Sequence, residues 1–269
     1  MLDKEILYDN VGDVNKKNGT LMRFLPSTVT IAAFCCGLTA IKLALFQKWE
    51  MAVLCIFISA LLDAFDGKVA RLLGHSSQFG AQLDSLSDLV CFGVAPSLIL
   101  FLKTGYMLEN IGWGVCLFFS ICCALRLARF NVAQIVGESK PDWAKKYFSG
   151  VPAPAGAILA IFPLVLFFKT GDYVFLCPTF VSFALLISGV LMISTLKTFS
   201  SKMIEIGSES ALLALISISL LIICLITDLW LTLSIMVTLY IMLIPYSVYK
   251  YSKTQKTENQ ESCESKRCK

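Results

Sequence analysis

Long apolar runs alternate with short polar connections along most of this chain. A helix that crosses the roughly 30 Å hydrocarbon core of a bilayer needs about 20 apolar residues. Eight runs fit this length: 24–46, 49–73, 79–102, 110–136, 152–169, 173–195, 209–226 and 229–249. The pattern predicts an all-α fold, a polytopic integral membrane helix bundle with about eight transmembrane helices.

The two ends of the chain differ from this core because they are polar. Residues 1–22 include the segment DVNKKNG, and the first apolar run is too long and starts too late for a secretory signal peptide. The mixed charge of residues 251–269 is typical of a disordered segment. We expect a polar N-terminal segment at 1–22, a membrane core at 23–200, additional transmembrane helices at 201–250 and a disordered tail at 251–269.

The composition agrees with a membrane protein. Apolar residues make up 57% and charged residues 16% of the chain, against about 25% charged residues in a soluble domain, and the mean hydropathy is +0.74. The net charge of +4 indicates topology signals and lipid headgroup contacts rather than nucleic-acid binding. Most of the eleven cysteines lie in apolar runs without metal-ligand spacing, which predicts free thiols.

Lysine and arginine are distributed unequally between alternate connections. Short cytoplasmic loops carry an excess of these residues. The connections that alternate with the rich side hold only Lys48, Lys103 and Lys169. The rich side includes both termini and the turn after the second run. We therefore expect a multi-pass protein of the inner (cytoplasmic) membrane, with both termini in the cytoplasm.

Four carboxylates interrupt the apolar pattern in the stretch DAFDGKVARLLGHSSQFGAQLDSLSD, residues 63–88. Asp63 and Asp66 are three residues apart, and Asp84 and Asp88 are four apart, so each pair shares one face of a helix. A short connection makes the two helices antiparallel neighbours. Clustered carboxylates repel one another unless a cation neutralises them, and hard divalent cations prefer oxygen ligands. The spacing predicts a two-metal site of the kind used in phosphoryl chemistry.

Small residues and one arginine accompany the carboxylates. Gly67, Ala70 and Gly80 have little or no side-chain bulk, so the backbone and a ligand can approach closely there. Arg71 supplies a planar cation suited to phosphate oxygens. A structural interpretation, in which the small residues serve helix packing, stays open for any one of them.

These positions together resemble a known family. The pattern Asp63-x-x-Asp66-Gly67-x-x-Ala70-Arg71, then Gly80, Asp84 and Asp88 at fixed spacing, is similar to the signature of the CDP-alcohol phosphotransferases. The resemblance implies a six-helix catalytic core, a CDP-linked lipid donor, an alcohol acceptor, release of CMP, and two divalent cations. These would be Mg²⁺ or Mn²⁺, with Ca²⁺ as a third candidate.

Flanking segments resemble the phosphatidylserine synthase branch of that family. They are LDSLSDLVCFGVAPSLIL at 83–100, ALRLARFNV at 124–132 and FSGVPAPAGA at 148–157. The branch often begins its first span with LPNxxTxxN, and here Ser27 and Ala33 replace the two asparagines. The resemblance implies CDP-diacylglycerol and L-serine as substrates and membrane lipids as surroundings. It also allows a homodimer.

Roles for individual residues follow from the resemblance. Asp63, Asp66, Asp84 and Asp88 would bind metal, and Asp88 would also be the general base on the serine hydroxyl. Gly67, Ala70, Arg71 and Gly80 would lie against the donor.

Two arginines and the single histidine have competing interpretations. Arg126 and Arg129 are either anchors at the membrane surface, with side chains that reach the headgroups, or a clamp for substrate anions. His75 is more readily explained as a solvated loop residue than as a catalytic one.

Other functions stay open from the sequence. The acceptor could be glycerol 3-phosphate, inositol phosphate or choline. Intramembrane carboxylates also occur in cation- or proton-coupled transporters, although those sites tend to lie near the membrane midplane.

Overall fold

The computed structural model describes residues 28–73, 78–105, 109–136, 147–199 and 211–267. Nearly all of these residues are helical, and each of the eight predicted apolar runs contains a helix. The helices are α1 Thr28–Leu45, α2 Trp49–Leu73, α3 Gln78–Asp88, α4 Ala95–Lys103, α5 Glu109–Val136, α6 Ala153–Thr170, α7 Pro178–Ile193, α8 Ala211–Thr227 and α9 Leu229–Arg267. A π-helical turn, Leu89–Val94, joins α3 to α4, and a short 3-10 helix, Tyr173–Leu176, precedes α7.

Among the described residues, five helical segments are long and apolar enough to cross a membrane. They are Thr28–Leu45, Phe79–Lys103, Asn110–Ala133, Ala153–Thr170 and Leu229–Tyr251. Two shorter apolar helices, Pro178–Ile193 and Leu215–Thr227, accompany them. Helix α2 is 25 residues long, but its aspartates interrupt the apolar run. The predicted all-α, multi-pass membrane architecture is confirmed, and the count of eight spans stays a prediction.

Large apolar side chains lie exposed on several helices. Ile226 is 79% exposed, Leu215 63% and Met242 65%. Apolar surface of this extent marks an interaction with a membrane or a partner, and a bilayer accepts it without cost. These faces therefore suit contact with lipid.

The chain divides into two compact units, residues 1–99 and 100–269. In the first unit, small residues line the contacts between helices, and Ala40, Ala44 and Ala52 are almost fully buried. Small side chains let helix backbones approach closely. The resulting van der Waals contacts stabilise helix association in lipid, where there is no hydrophobic driving force between helices.

In the second unit, α7 packs against α5 and α6, and α9 packs against α6 and α8. Small residues again lie at the contacts: a Cβ on Gly189 would be 3.3 Å from the Cys122 sulfur. Strand β1 (Tyr147–Ser149) pairs antiparallel with β2 (Lys197–Phe199). This two-stranded ribbon is a small addition to the predicted all-α fold.

An ion pair connects the C-terminal end of α6 to the N-terminal end of α9 in the second unit. Lys169 donates a hydrogen bond to Asp228, which also accepts one from the backbone N–H of Leu231 (3.0 Å). The rings of Phe168 and Trp230, which neighbour these residues in the chain, contact each other in a tilted arrangement with centroids 4.6 Å apart. The Lys169 hydrogen bond, followed by that of Leu231, holds the pKa of the Asp228 carboxyl below its usual value.

The last helix extends farther than the sequence predicts. Helix α9 continues to Arg267, and so includes residues 251–267 of the segment 251–269 expected to be disordered. Residues such as Lys, Gln and Glu are good helix formers, and adding residues to an existing helix is easier than nucleating one. The described cysteines are all free thiols, as predicted. The predicted boundaries at residues 22 and 200 lie outside the described residues.

Candidate active site

Helices α2 and α3 bring three of the four predicted metal ligands together. Carboxylate oxygens of Asp63, Asp66 and Asp84 all lie within 4.8 Å of one another. Asp66 is buried, with 5% of its surface exposed, and the other two are half-buried. Asp88 follows Asp84 by one helical turn and is not a member of this group. The Asp88 carboxylate interacts electrostatically with the Cys91 thiol.

The donor set fits a hard divalent cation. Three carboxylates this close would repel one another strongly in a poorly hydrated site, and a cation with a preference for oxygen ligands removes that repulsion. The donors include no sulfur or imidazole, which favours Mg²⁺ or Mn²⁺ over softer metals. The group of three accounts for one cation, and a second would need further donors.

Helix α1 stabilises this arrangement through hydrogen bonds that the sequence did not predict. The Thr30 hydroxyl donates to Oδ2 of Asp66 at 3.0 Å, and the Ser87 hydroxyl donates to the Thr30 carbonyl at 3.4 Å. Ser59 donates to the Ala33 carbonyl at 3.1 Å. A partner that orients a ligating carboxylate is a regular feature of metal sites. The sequence feature that could have indicated this role of Thr30 is its hydroxyl group within an apolar run.

The π-helical turn begins immediately after Asp88 and packs against α1. The Cys91 thiol donates to the Ala33 carbonyl at 3.3 Å, and a Cβ on Gly37 would lie only 2.4 Å from the Cys91 sulfur. Gly37 is therefore required for the close approach of α1. Single π-helical turns occur frequently at functional sites, and nothing in the local sequence predicted this one.

The surroundings of the small residues differ from one to another. A Cβ on Gly67 would meet no atom within 4 Å, so the protein leaves open space beside Asp66. Gly80 lies on α3, one turn before Asp84. Ala70 and Arg71 belong to α2, but their side chains, and the whole of His75, lie outside the described part of the structure.

The two predicted clamp residues lie on α5 in the second unit, in different environments. Arg129 is exposed and donates from Nη2 to the carbonyl of Ser194 at 3.3 Å, which is the residue that ends α7. Arg126 is half-buried, with Nε shielded from solvent. Its charge acts on the phenol of Tyr240. Tyr240 could not be singled out from the sequence, because this part of α9 has the pattern of an ordinary apolar span.

The segment FSGVPAPAGA, residues 148–157, contains the end of β1 and the start of α6. Gly150 has a φ of +79°, and its N–H donates to the Leu196 carbonyl at 2.8 Å. A Cβ there would be 2.7 Å from the Met192 carbonyl oxygen. Only glycine suits this position, since it alone combines a positive φ with such a contact. Val151 donates to the Leu191 carbonyl at 3.2 Å, which ties the segment to the end of α7.

Comparisons with known proteins identify the family of this chain. A sequence model of the CDP-alcohol phosphatidyltransferase family matches residues 23–199. Proteins named CDP-diacylglycerol–serine O-phosphatidyltransferase are similar to the chain. The Mycobacterium bovis protein is 38% identical over 77% of this chain and 73% of its own length. The Helicobacter pylori protein is 36% identical over 72% of this chain and 80% of its own length. The Bacillus subtilis protein is 43% identical over 52% of this chain and 75% of its own length.

Proposed function

Because this chain belongs to the CDP-alcohol phosphatidyltransferase family, we propose that it makes phosphatidylserine by transferring the phosphatidyl group of CDP-diacylglycerol to L-serine. The observation that carries the proposal is the group of three carboxylates within 4.8 Å, at the positions of the family signature. Relatives from three bacteria carry the name of this activity, and they support serine as the acceptor.

Asp63, Asp66 and Asp84 would hold a divalent cation, Mg²⁺ or Mn²⁺, and Asp88 would contribute to a second one. Such cations would neutralise phosphate charge and stabilise charge that develops on the reacting oxygens. The chain itself fixes the carboxylates, since Thr30 orients Asp66. The open space beside Gly67 leaves room for the pyrophosphate. Ala70, Arg71 and Gly80 lie on the same two helices, and Arg71 binds a phosphate oxygen of the donor.

Asp88 is the general base. A serine hydroxyl is a poor nucleophile at neutral pH and needs a positioned proton acceptor. The Asp88 carboxylate takes the hydroxyl proton as the serine oxygen forms a bond to the phosphorus that carries diacylglycerol. The bond from that phosphorus to the bridging oxygen breaks, and CMP leaves with the bonding electrons. The position of Asp88, one turn beyond Asp84 and outside the group of three, suits a carboxylate that exchanges a proton.

Arg126 and Arg129 bind an anionic group of the substrates. A guanidinium pairs well with carboxylate and phosphate oxygens, and serine carries a carboxylate that must be held while its hydroxyl reacts. Arg126 is the better placed of the two, because its half-buried position strengthens electrostatic attraction. Arg129 is occupied in part by the Ser194 carbonyl.

The enzyme is a multi-pass protein of the cytoplasmic membrane with the carboxylates on the cytoplasmic side. The excess of lysine and arginine in alternate connections supports this orientation. Two of the three lysines expected on the opposite side have partners within the second unit: Lys169 pairs with Asp228, and Lys103 lies 5.6 Å from the Phe167 ring centroid. A homodimer is the expected state by analogy with the family.

Release of CMP from CDP-diacylglycerol tests the proposal. The purified protein is supplied in detergent micelles with Mn²⁺ or Mg²⁺ and with L-serine, glycerol 3-phosphate, inositol phosphate or choline in turn. We expect release with L-serine alone and its loss on addition of EDTA. Release with a different acceptor would refute the choice of serine. A folded protein that binds metal but releases no CMP with any acceptor would refute the reaction and return the transporter to consideration.

A further inference from the structure

Two buried side chains, one on each side of Asp88 in the chain, bind the backbone of α1. Ser87 precedes Asp88 and donates to the Thr30 carbonyl at 3.4 Å. Cys91 follows it by three residues and donates to the Ala33 carbonyl at 3.3 Å. Both donors are buried, and the two carbonyls are three residues apart, on one side of α1. The end of α3 and the π-helical turn are therefore fastened to the same side of α1.

Helix α1 also holds one of the predicted metal ligands. The Thr30 hydroxyl donates to Asp66, while the carbonyl of the same residue accepts from Ser87. One residue of α1 thus contacts both the helix that carries Asp66 and the helix that ends at Asp88. All of these residues belong to the first compact unit. Helix α1 is therefore a common support for the predicted base and for a predicted metal ligand.

Cys91 lies deep in the contact between the π-helical turn and α1. A Cβ on Gly37 would be 2.4 Å from the Cys91 sulfur and 3.1 Å from the Cys91 Cα, so side chain and backbone both pack against α1. Single π-helical turns are rare and occur frequently at functional sites, and this one, Leu89–Val94, begins at the residue after Asp88. Because the turn continues directly from α3, a shift of the turn would also move Asp88.

We propose that Cys91 is a positioning residue, which keeps the Asp88 carboxylate in place beside the group of three carboxylates by fastening the π-helical turn to α1. This inference rests on the proposed function, because it takes Asp88 as the general base. A base must lie within about 2.6–3.2 Å of the hydroxyl that it deprotonates, and a displacement of about 1 Å can lower a rate about 100-fold. Asp84 lies one turn farther from Cys91 than Asp88 does. A loosened turn should therefore disturb proton transfer more than metal binding.

The test replaces Cys91 with alanine, which removes the thiol, and with serine, which keeps a donor of similar size. CMP release gives kcat at saturating Mn²⁺ and L-serine, and the Mn²⁺ concentration for half-maximal activity. Thermal unfolding in detergent shows whether each variant is folded. We expect kcat of Cys91→Ala to fall about tenfold, as a displacement of less than about 1 Å predicts, with the metal requirement near that of the wild type. Cys91→Ser should recover most of kcat, because its hydroxyl can donate to the Ala33 carbonyl.

Cys122→Ala is the matched control, because Cys122 is a fully buried free thiol on α5 in the second unit. It should keep the kcat of the wild type. A folded Cys91→Ala protein with wild-type kcat would overturn the inference, and so would a kcat in Cys91→Ser as low as that in Cys91→Ala.

Gly37→Ala provides a second variant, which also decides the question if Cys91→Ala does not fold. The new Cβ would displace Cys91 from the side of α1, so kcat should fall while the metal requirement changes little. A folded Gly37→Ala protein with wild-type kcat, or with a raised metal requirement as its only change, would count against the inference.

Failure of the proposed function has a different signature, because it is seen in the wild-type protein. Wild-type protein that uses an acceptor other than L-serine would refute the choice of serine, and the same variants compared with that acceptor would still decide the role of Cys91. Wild-type protein that releases no CMP with any acceptor would leave Asp88 without a reaction and overturn both proposals together.

Discussion

Replacing Thr30 with valine should weaken metal binding without abolishing the chemistry. Valine is close in size to threonine but cannot donate to Asp66, so the buried carboxylate loses the hydrogen bond of 3.0 Å. A hydrogen bond to a charged group contributes about 1.5–3 kcal/mol. Loss of a group that orients a metal ligand typically lowers metal affinity by about 10–100-fold, which corresponds to about 1.4–2.8 kcal/mol. The two magnitudes agree.

The assay is CMP release as a function of Mg²⁺ or Mn²⁺ concentration. In Thr30→Val, the concentration for half-maximal activity should rise about 10–100-fold, while the rate at saturating metal stays near that of the wild type. Thr39→Val is the control, because the Thr39 hydroxyl is exposed and donates to the Cys35 carbonyl of its own helix at 2.7 Å. An unchanged metal requirement in Thr30→Val, or an equal change in both variants, would refute the role assigned to α1.

Three further predictions concern stability, each measured by thermal unfolding in detergent. Gly37→Ala should destabilise the protein by about 1–3 kcal/mol because the new Cβ meets the Cys91 sulfur. The control Gly114→Ala, where the new Cβ meets no atom within 4 Å, should not destabilise the protein. Equal losses of stability in the two variants would contradict the packing of α1 against Cys91. Gly150→Ala should destabilise through its positive φ of 79° and two nearby carbonyl oxygens, and an unchanged midpoint would contradict this geometry. The depressed pKa of Asp228 means that its ion pair stabilises the fold above about pH 4, the ordinary value, and that this stabilisation is lost as pH falls toward the folded pKa. Asp228→Asn should therefore flatten the fall in thermal midpoint below that pH, and an unaltered pH profile would contradict the ion pair.

The group of three carboxylates could be predicted from sequence because helical geometry determines it locally. Asp63 and Asp66 are three residues apart on α2, and a short connection returns the chain to Asp84 on α3. Spacing alone could not separate Asp88 from the others, since it shares the stripe of Asp84. That distinction depends on how the two helices pack.

The supporting residues could not be predicted, because their contacts join distant parts of the chain. Thr30 and Asp66 are 36 positions apart, and Ser87 and Thr30 are 57 apart. A hydroxyl in an apolar helix usually bonds to its own backbone, as Thr39 does, so its identity does not reveal a distant partner. Tyr240 could not be predicted for a related reason. Aromatic residues are common in apolar spans, and the sequence does not show which of them has a buried hydroxyl.

We propose above all that the group of three carboxylates is the metal centre of a phosphatidyl transfer to L-serine. The most direct measurement follows label from L-serine into a lipid product, with CDP-diacylglycerol and Mn²⁺, for wild-type protein, Asp84→Asn and Asp172→Asn. Asp172 is an exposed carboxylate that caps the 3-10 helix and serves as the control. We expect labelled phosphatidylserine from the wild type and from Asp172→Asn, and almost none from a folded Asp84→Asn protein. Labelled product from Asp84→Asn at the wild-type rate and metal requirement would contradict this proposal.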